Sequence, residues 1–193
     1  MMIETGVLFV LLATATSPAP IVTQAAREAP ARTEHPLVIR ADAGWNSLAG
    51  LGLRGSWAAT DRLVLDVGAG YVLAGPKAGA RLRWNFSTAN LTPYAALGAI
   101  VSRGHPDAQT IKQDDGDQFQ FHVGPAAYAQ AVAGLDFQDQ DRISYSIELG
   151  WAQALNHRDV HVISGTPSDT DWREVRLVTG GGLVVGGSIG YAF

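Results

Sequence analysis

From Leu37 onward, apolar side chains recur at every second position. Leu37, Ile39, Ala41, Ala43 and Trp45 alternate with Val38, Arg40, Asp42 and Gly44. Leu51, Leu53 and Trp57 alternate with Gly52, Arg54 and Ser56, and Leu63, Leu65, Val67, Ala69 and Tyr71 with Val64, Asp66, Gly68 and Gly70. The same period runs through Ala78–Phe86, through 142–151 and through 185–193. Period two is the signature of β-strands with two unlike faces. Two further stretches are less regular. Residues 91–102 are apolar on both faces. Residues 127–137 are rich in Ala, with Gln130, Gly134 and Asp136 on one face and Ala129, Ala131, Ala133, Leu135 and Phe137 on the other. The pattern predicts eight strands.

The spacers alternate in kind. Thr60-Asp61, residues 87–90 and residues 138–141 are tight polar turns, built from the residue types that turns favour. The other connections are short near Asn46-Ser47 and Gly75-Pro76, then long at 103–120 and 155–174. Short turns on one side and longer loops on the other are the layout of an outer-membrane barrel. The expected fold is all-β, an eight-stranded antiparallel up-and-down transmembrane β-barrel spanning 37–193.

The sign of the alternation separates two kinds of barrel. A soluble ligand-binding barrel keeps apolar residues inside. A membrane barrel turns them outward and keeps a polar lumen. No charge falls on the apolar face of the regular strands. The other face holds Gly, Ser and a few Arg, Asp and Glu, too small and sparse for a solvated exterior and suited to a narrow interior filled by side chains. The aromatics agree. With the first strand running outward, Trp45, Tyr71 and Trp151 fall at the outer strand ends. Trp57, Trp84, Phe86, Phe137, Tyr145, Tyr191 and Phe193 fall at the inner ends. Two such girdles match the depths at which amphipathic rings sit in a bilayer.

Over about Leu37 to Phe193 the chain resembles the small eight-stranded outer-membrane barrels, the family of the OmpA transmembrane domain, OmpX and related porin-like domains. The final residues carry the closest likeness: Phe193 with Tyr191 and Ile189 resembles the C-terminal signal read by the outer-membrane insertion machinery. The resemblance implies a cell-envelope protein of a Gram-negative bacterium. Unlike full-length OmpA, it is expected to carry no wall-binding domain after Phe193.

Composition sharpens this picture. Hydrophobic residues are 47% and charged residues 17%, which excludes a disordered chain. With Cys 0, neither disulfides nor thiolate metal sites are available. A net charge of −4 offers no basic field for nucleic acid. Gly is 22, high for a soluble domain, and Lys77 and Lys112 are the only lysines among 14 basic residues. Before the strands, the apolar run Gly6–Ala15 followed by Ser17-Pro18 predicts a signal peptide over 1–25, with small residues at Thr23-Gln24-Ala25 for cleavage. The absence of Lys or Arg in Met1–Glu4 departs from that pattern. Residues 26–36 read as a polar linker.

The charges of the polar face are Arg40, Asp42, Arg54, Asp66, Arg81, Arg83, Asp136 and Glu148. They are expected to form a salt-bridge network that plugs the lumen, with Arg54 between Asp42 and Asp66 and Glu148 opposite. Buried charges must pair, and Arg suits that task better than Lys. His157, Asp159 and His161 lack the glutamate of a zinc-protease motif and a third ligand. Asp114, Asp115 and Asp117 lack calcium-loop spacing. His161 and Ser164 near Asp159 do not make a triad by proximity alone. No metal, cofactor or enzymatic activity is expected. The expected partners are outer-membrane lipid and lipopolysaccharide, the insertion machinery during assembly, and an unidentified ligand of the long loops. The protein is expected to be a monomer with a structural or surface-interaction role. The alternatives are a lipid A-modifying enzyme or a narrow ion-conducting pore.

Overall fold

Strands with one apolar and one polar face can hide the polar face without leaving raw edges only if their sheet closes on itself. This chain does so. The computed structural model describes residues 34–72, 74–112, 118–156, 160–164 and 180–193. The predicted signal peptide, and all of the linker before residue 34, lie outside them. The strands are β1 Leu37–Trp45, β2 Leu51–Ala58, β3 Leu63–Val72, β4 Gly75–Asn85, β5 Leu91–Ser102, β6 His105–Lys112, β7 Gln118–Val123, β8 Ala126–Gln138, β9 Ile143–Ala154, β10 Val160–Ser164 and β11 Gly181–Ala192. Eight of them form a closed antiparallel barrel in the order β1-β2-β3-β4-β5-β8-β9-β11, with β11 returning to β1. The closing ladder runs from Val38 opposite Ala192 to Trp45 opposite Val185. The Phe193 N–H extends it by donating to the Leu37 carbonyl at 2.7 Å.

The lower end of the barrel carries the chain's first and last strand ends and three tight turns. Thr60 Oγ1 accepts from the Leu63 N–H at 2.9 Å, and Thr92 Oγ1 donates to the Ala89 carbonyl at 2.6 Å. Asp139 Oδ1 accepts from the Gln140 N–H at 2.7 Å, and Arg142 takes the left-handed conformation, φ 67. These are the local side-chain bonds by which Ser, Thr and Asp favour turns.

The upper end differs from the sequence expectation. The stretches 103–120 and 155–174, expected as loops, contain strands. β6, β7 and β10 form a separate three-stranded sheet in the order β10-β7-β6. Its anchor is apolar: Phe121 and Val123 of β7 pack on Ala74, with Val72 and Val160 beside them. Alternation there is short and interrupted by bulges in both pairings, so period two did not reveal it.

The barrel wall has the expected polarity. No charged residue stands on the outward face of any of the eight strands. Leu97 is 70% exposed and Ile147 62%, whereas Arg54 and Asp66 are 0%. The girdle residues Trp45, Trp57, Tyr71, Trp84, Phe86, Tyr145, Trp151, Tyr191 and Phe193 are all exposed and Phe137 is half-buried, stacked on Tyr145 at 6.3 Å.

Candidate functional site

Inward positions of the lower and middle barrel hold all eight charges of the polar face. Register decides which of them meet. Asp66 on β3 lies directly opposite Arg81 on β4. Arg54 on β2 lies opposite Gly68 on β3 and opposite Arg40 on β1. Two like charges face to face would destabilise the ladder. The two guanidinium groups therefore diverge. Arg40 reaches Asp136 at 2.8 Å and donates to Ser56 at 2.8 Å and Ser144 at 2.7 Å. Arg54 reaches Asp42 at 2.6 Å and Glu148 at 3.0 Å.

The remaining pairs complete one continuous chain. Arg81 joins Glu148 at 2.6 Å to Asp66 at 3.0 Å, and Arg83 joins Asp66 at 3.3 Å to Asp136 at 3.2 Å. The order is Asp42, Arg54, Glu148, Arg81, Asp66, Arg83, Asp136, Arg40, with sign alternating at every step. Each member is at most 4% exposed. Taking such charges out of water is costly, and alternating contacts with charge-assisted hydrogen bonds offset that cost.

One sequence expectation needs correction. Arg54 does not bridge Asp42 and Asp66. Its second carboxylate is Glu148, across the lumen. Arg81, directly opposite Asp66, is the nearer cation for that carboxylate. Residues the sequence reading passed over complete the site. Tyr94 is 1% exposed, donates to Glu148 Oε2 at 3.1 Å and lies under the Arg83 guanidinium at 5.0 Å. Ser146 accepts from Arg54 at 3.3 Å. Lys77 also faces inward, near the upper end of β4. Parity with Leu91 would have placed Thr92 and Tyr94 inside. The turn signal of Gly75-Pro76 hid Lys77.

Other candidates separate from this chain. His161 stands on β10 opposite His122 on β7, and Ser164 opposite Gln120. His157, Asp159, Asp114, Asp115 and Asp117 lie outside the described residues. Among the described residues no three His, Asp or Glu side chains are placed to hold a metal ion. Ile189 and Tyr191 share the outward face of β11, and Tyr191 meets Phe193 edge-on at 5.2 Å.

Fold and lumen together define a small, closed, eight-stranded antiparallel β-barrel protein with a charged interior and an apolar exterior. Comparison with protein-family models and with curated proteins found no match for this sequence.

Proposed function

We propose that this chain is an integral outer-membrane β-barrel protein of a Gram-negative envelope, similar to the OmpA and OmpX barrels. In this reading it is a monomer, held by lipid and lipopolysaccharide and inserted from the periplasm by the assembly machinery. One observation carries the reading: every charge of the barrel strands points inward, while the outward faces are apolar and bordered by aromatic residues. Water would not favour that arrangement; a bilayer would, since an outward charge at mid-depth costs ~2–4 kcal/mol. The ion-pair chain plugs the lumen, so the barrel is a scaffold without catalytic work. The three-stranded sheet above it, built from the long connections, is the surface offered to partners, because scaffolds hold position and exposed connections make contacts.

The pore alternative is favoured by a specific observation. Arg54 Nε, Arg81 Nη1, Glu148 Oε1 and both polar side-chain atoms of Asn85 are buried without a protein hydrogen-bond partner. A thread of water would satisfy such groups. Cell fractionation combined with planar-bilayer recording tests the reading. Protein in the outer-membrane fraction, migrating differently after heating in detergent and giving no conductance steps, supports a plugged barrel. Steps at low voltage support the pore. Recovery as a soluble periplasmic protein would contradict both.

A further inference from the structure

The connection between β1 and β2 sits at the upper end, where a surface turn is expected. Instead it folds into the barrel. Ser47, Leu48 and Ala49 are each 0% exposed. Leu48 packs with Ile100, Ala126 and Tyr128 from the opposite wall. Polar bonds hold the segment in place. Gln130 Nε2 donates to the Asn46 carbonyl at 2.8 Å, Asn46 Nδ2 donates to the Leu183 carbonyl at 3.1 Å, and Ser47 Oγ accepts from the Gly50 N–H at 3.1 Å. Asn46 takes φ 52 and Gly50 φ 71, the left-handed conformations that turn the chain inward and back out.

The wall is cut to receive this segment. A Cβ at Gly186 would meet Ser47 Cβ first, at 3.0 Å; one at Gly79 would stand 2.9 Å from Leu48 Cδ1 and 2.7 Å from the Ala99 carbonyl oxygen, and one at Gly44 2.9 Å from Ser47 Cβ and closer still to the backbone of Val185 and Gly186. At Gly68 the three nearest atoms, at 3.2 to 3.3 Å, all belong to Leu48 and Ala49. Glycine weakens a strand, and within one it often marks close approach by another backbone. Here it appears on four different strands around one inserted segment.

Asp42 ties the segment to the charges below. Its Oδ1 accepts from Arg54 at 2.6 Å and its Oδ2 from the Ala49 N–H at 3.2 Å. We infer that residues 46–50 form a stopper, seated in a glycine-walled receptacle and latched to the ion-pair chain through Asp42. The lumen then has two seals in series, apolar above and ionic below, and loosening the ionic seal at Asp42 loosens the stopper. The inference rests on the barrel and not on its placement in a membrane.

The test uses thiol chemistry, because the chain has no native cysteine. Ser47→Cys, refolded in detergent micelles, is treated with a charged thiol reagent and compared with Leu155→Cys, whose parent side chain is 63% exposed. A seated stopper makes the Cys at 47 react ~100-fold more slowly, since it must first open. Adding Asp42→Asn removes a charge-assisted bond and should raise that rate ~10-fold. Adding Gly68→Val, whose Cβ would meet Leu48 and Ala49 first, should raise it as well. Heat-dependent gel mobility restricts every comparison to folded barrels. Equal rates at 47 and 155 overturn the stopper. A slow rate at 47 that neither added substitution raises overturns the receptacle and the latch. A rate raised by Gly68→Val but not by folded Asp42→Asn overturns the coupling through Asp42. Because the protein is in micelles, the test can fail while outer-membrane fractionation succeeds, and the reverse.

Discussion

Replacing Arg54 with leucine removes one link from the ion-pair chain. Arg54 holds Asp42 at 2.6 Å and Glu148 at 3.0 Å, and it is 0% exposed. The two carboxylates do not suffer equally. Glu148 keeps Arg81 at 2.6 Å and the Tyr94 hydroxyl at 3.1 Å. Asp42 keeps only the Ala49 N–H among its described partners. The penalty is therefore that of one stranded buried carboxylate. Removing one partner of a buried pair costs ~3–5 kcal/mol. Asp42→Asn added to Arg54→Leu restores charge balance, with three Arg facing three carboxylates in the remaining pairs. Direct neighbours couple by ~0.5–3 kcal/mol, so the double variant should be more stable than Arg54→Leu by that amount. Urea unfolding of refolded protein in micelles, followed by tryptophan fluorescence, measures both. A loss below ~0.5 kcal/mol for Arg54→Leu, the range of an ordinary surface change, would show these groups to be solvated and would refute the buried chain.

Tyr94→Phe deletes a hydrogen bond to an ionised group and should cost ~1.5–3 kcal/mol in the same assay while leaving the fold intact. Leu97→Arg, at the outward middle of β5, should cost ~2–4 kcal/mol when folding is measured in lipid vesicles; a change near zero would mean that face meets water. Deleting Phe193 should sharply reduce surface-exposed protein in cells yet only mildly reduce refolding yield in detergent. The lost ring is 55% exposed and so contributes less than the ~1.5–3 kcal/mol of a fully buried Phe. Equal losses in the two assays would make it a packing residue.

Six of the barrel strands were legible because they alternate strictly over most of their length, so a single parity assigns their side chains; β5, apolar on both faces, and Ala-rich β8 were read with less sequence support. Arg40, Asp42 and Val38 could be placed inside from Leu37, Ile39 and Ala41 alone. Identity of the partners was less legible. Which Arg meets Asp66 depends on the stagger between neighbouring strands, and that stagger leaves no trace in the order of one strand's residues. Tyr94 was hidden because an inward aromatic reads as apolar, although its hydroxyl serves a carboxylate. The inserted Ser47-Leu48-Ala49 was hidden for another reason. A short connection between strands signals a surface turn, and only the wall glycines, scattered from Gly44 to Gly186, record what occupies the space they leave. The sheet of β6, β7 and β10 rests on contacts of Phe121 and Val123 with Ala74, far apart in sequence and without a periodic signature.

Whether the apolar outer wall faces lipid can be read from spin labels at single cysteines in vesicle-reconstituted protein. The outward positions Leu97, Ile147 and Leu149 are compared with the inward positions Ala96, Ser146 and Ala152. Labels at the outward set should collide freely with oxygen and hardly at all with a water-soluble nickel complex, while the inward set is shielded from both. Outward labels relaxed by the nickel complex as strongly as a label at Leu155 would place the barrel wall in water and contradict a lipid-facing wall.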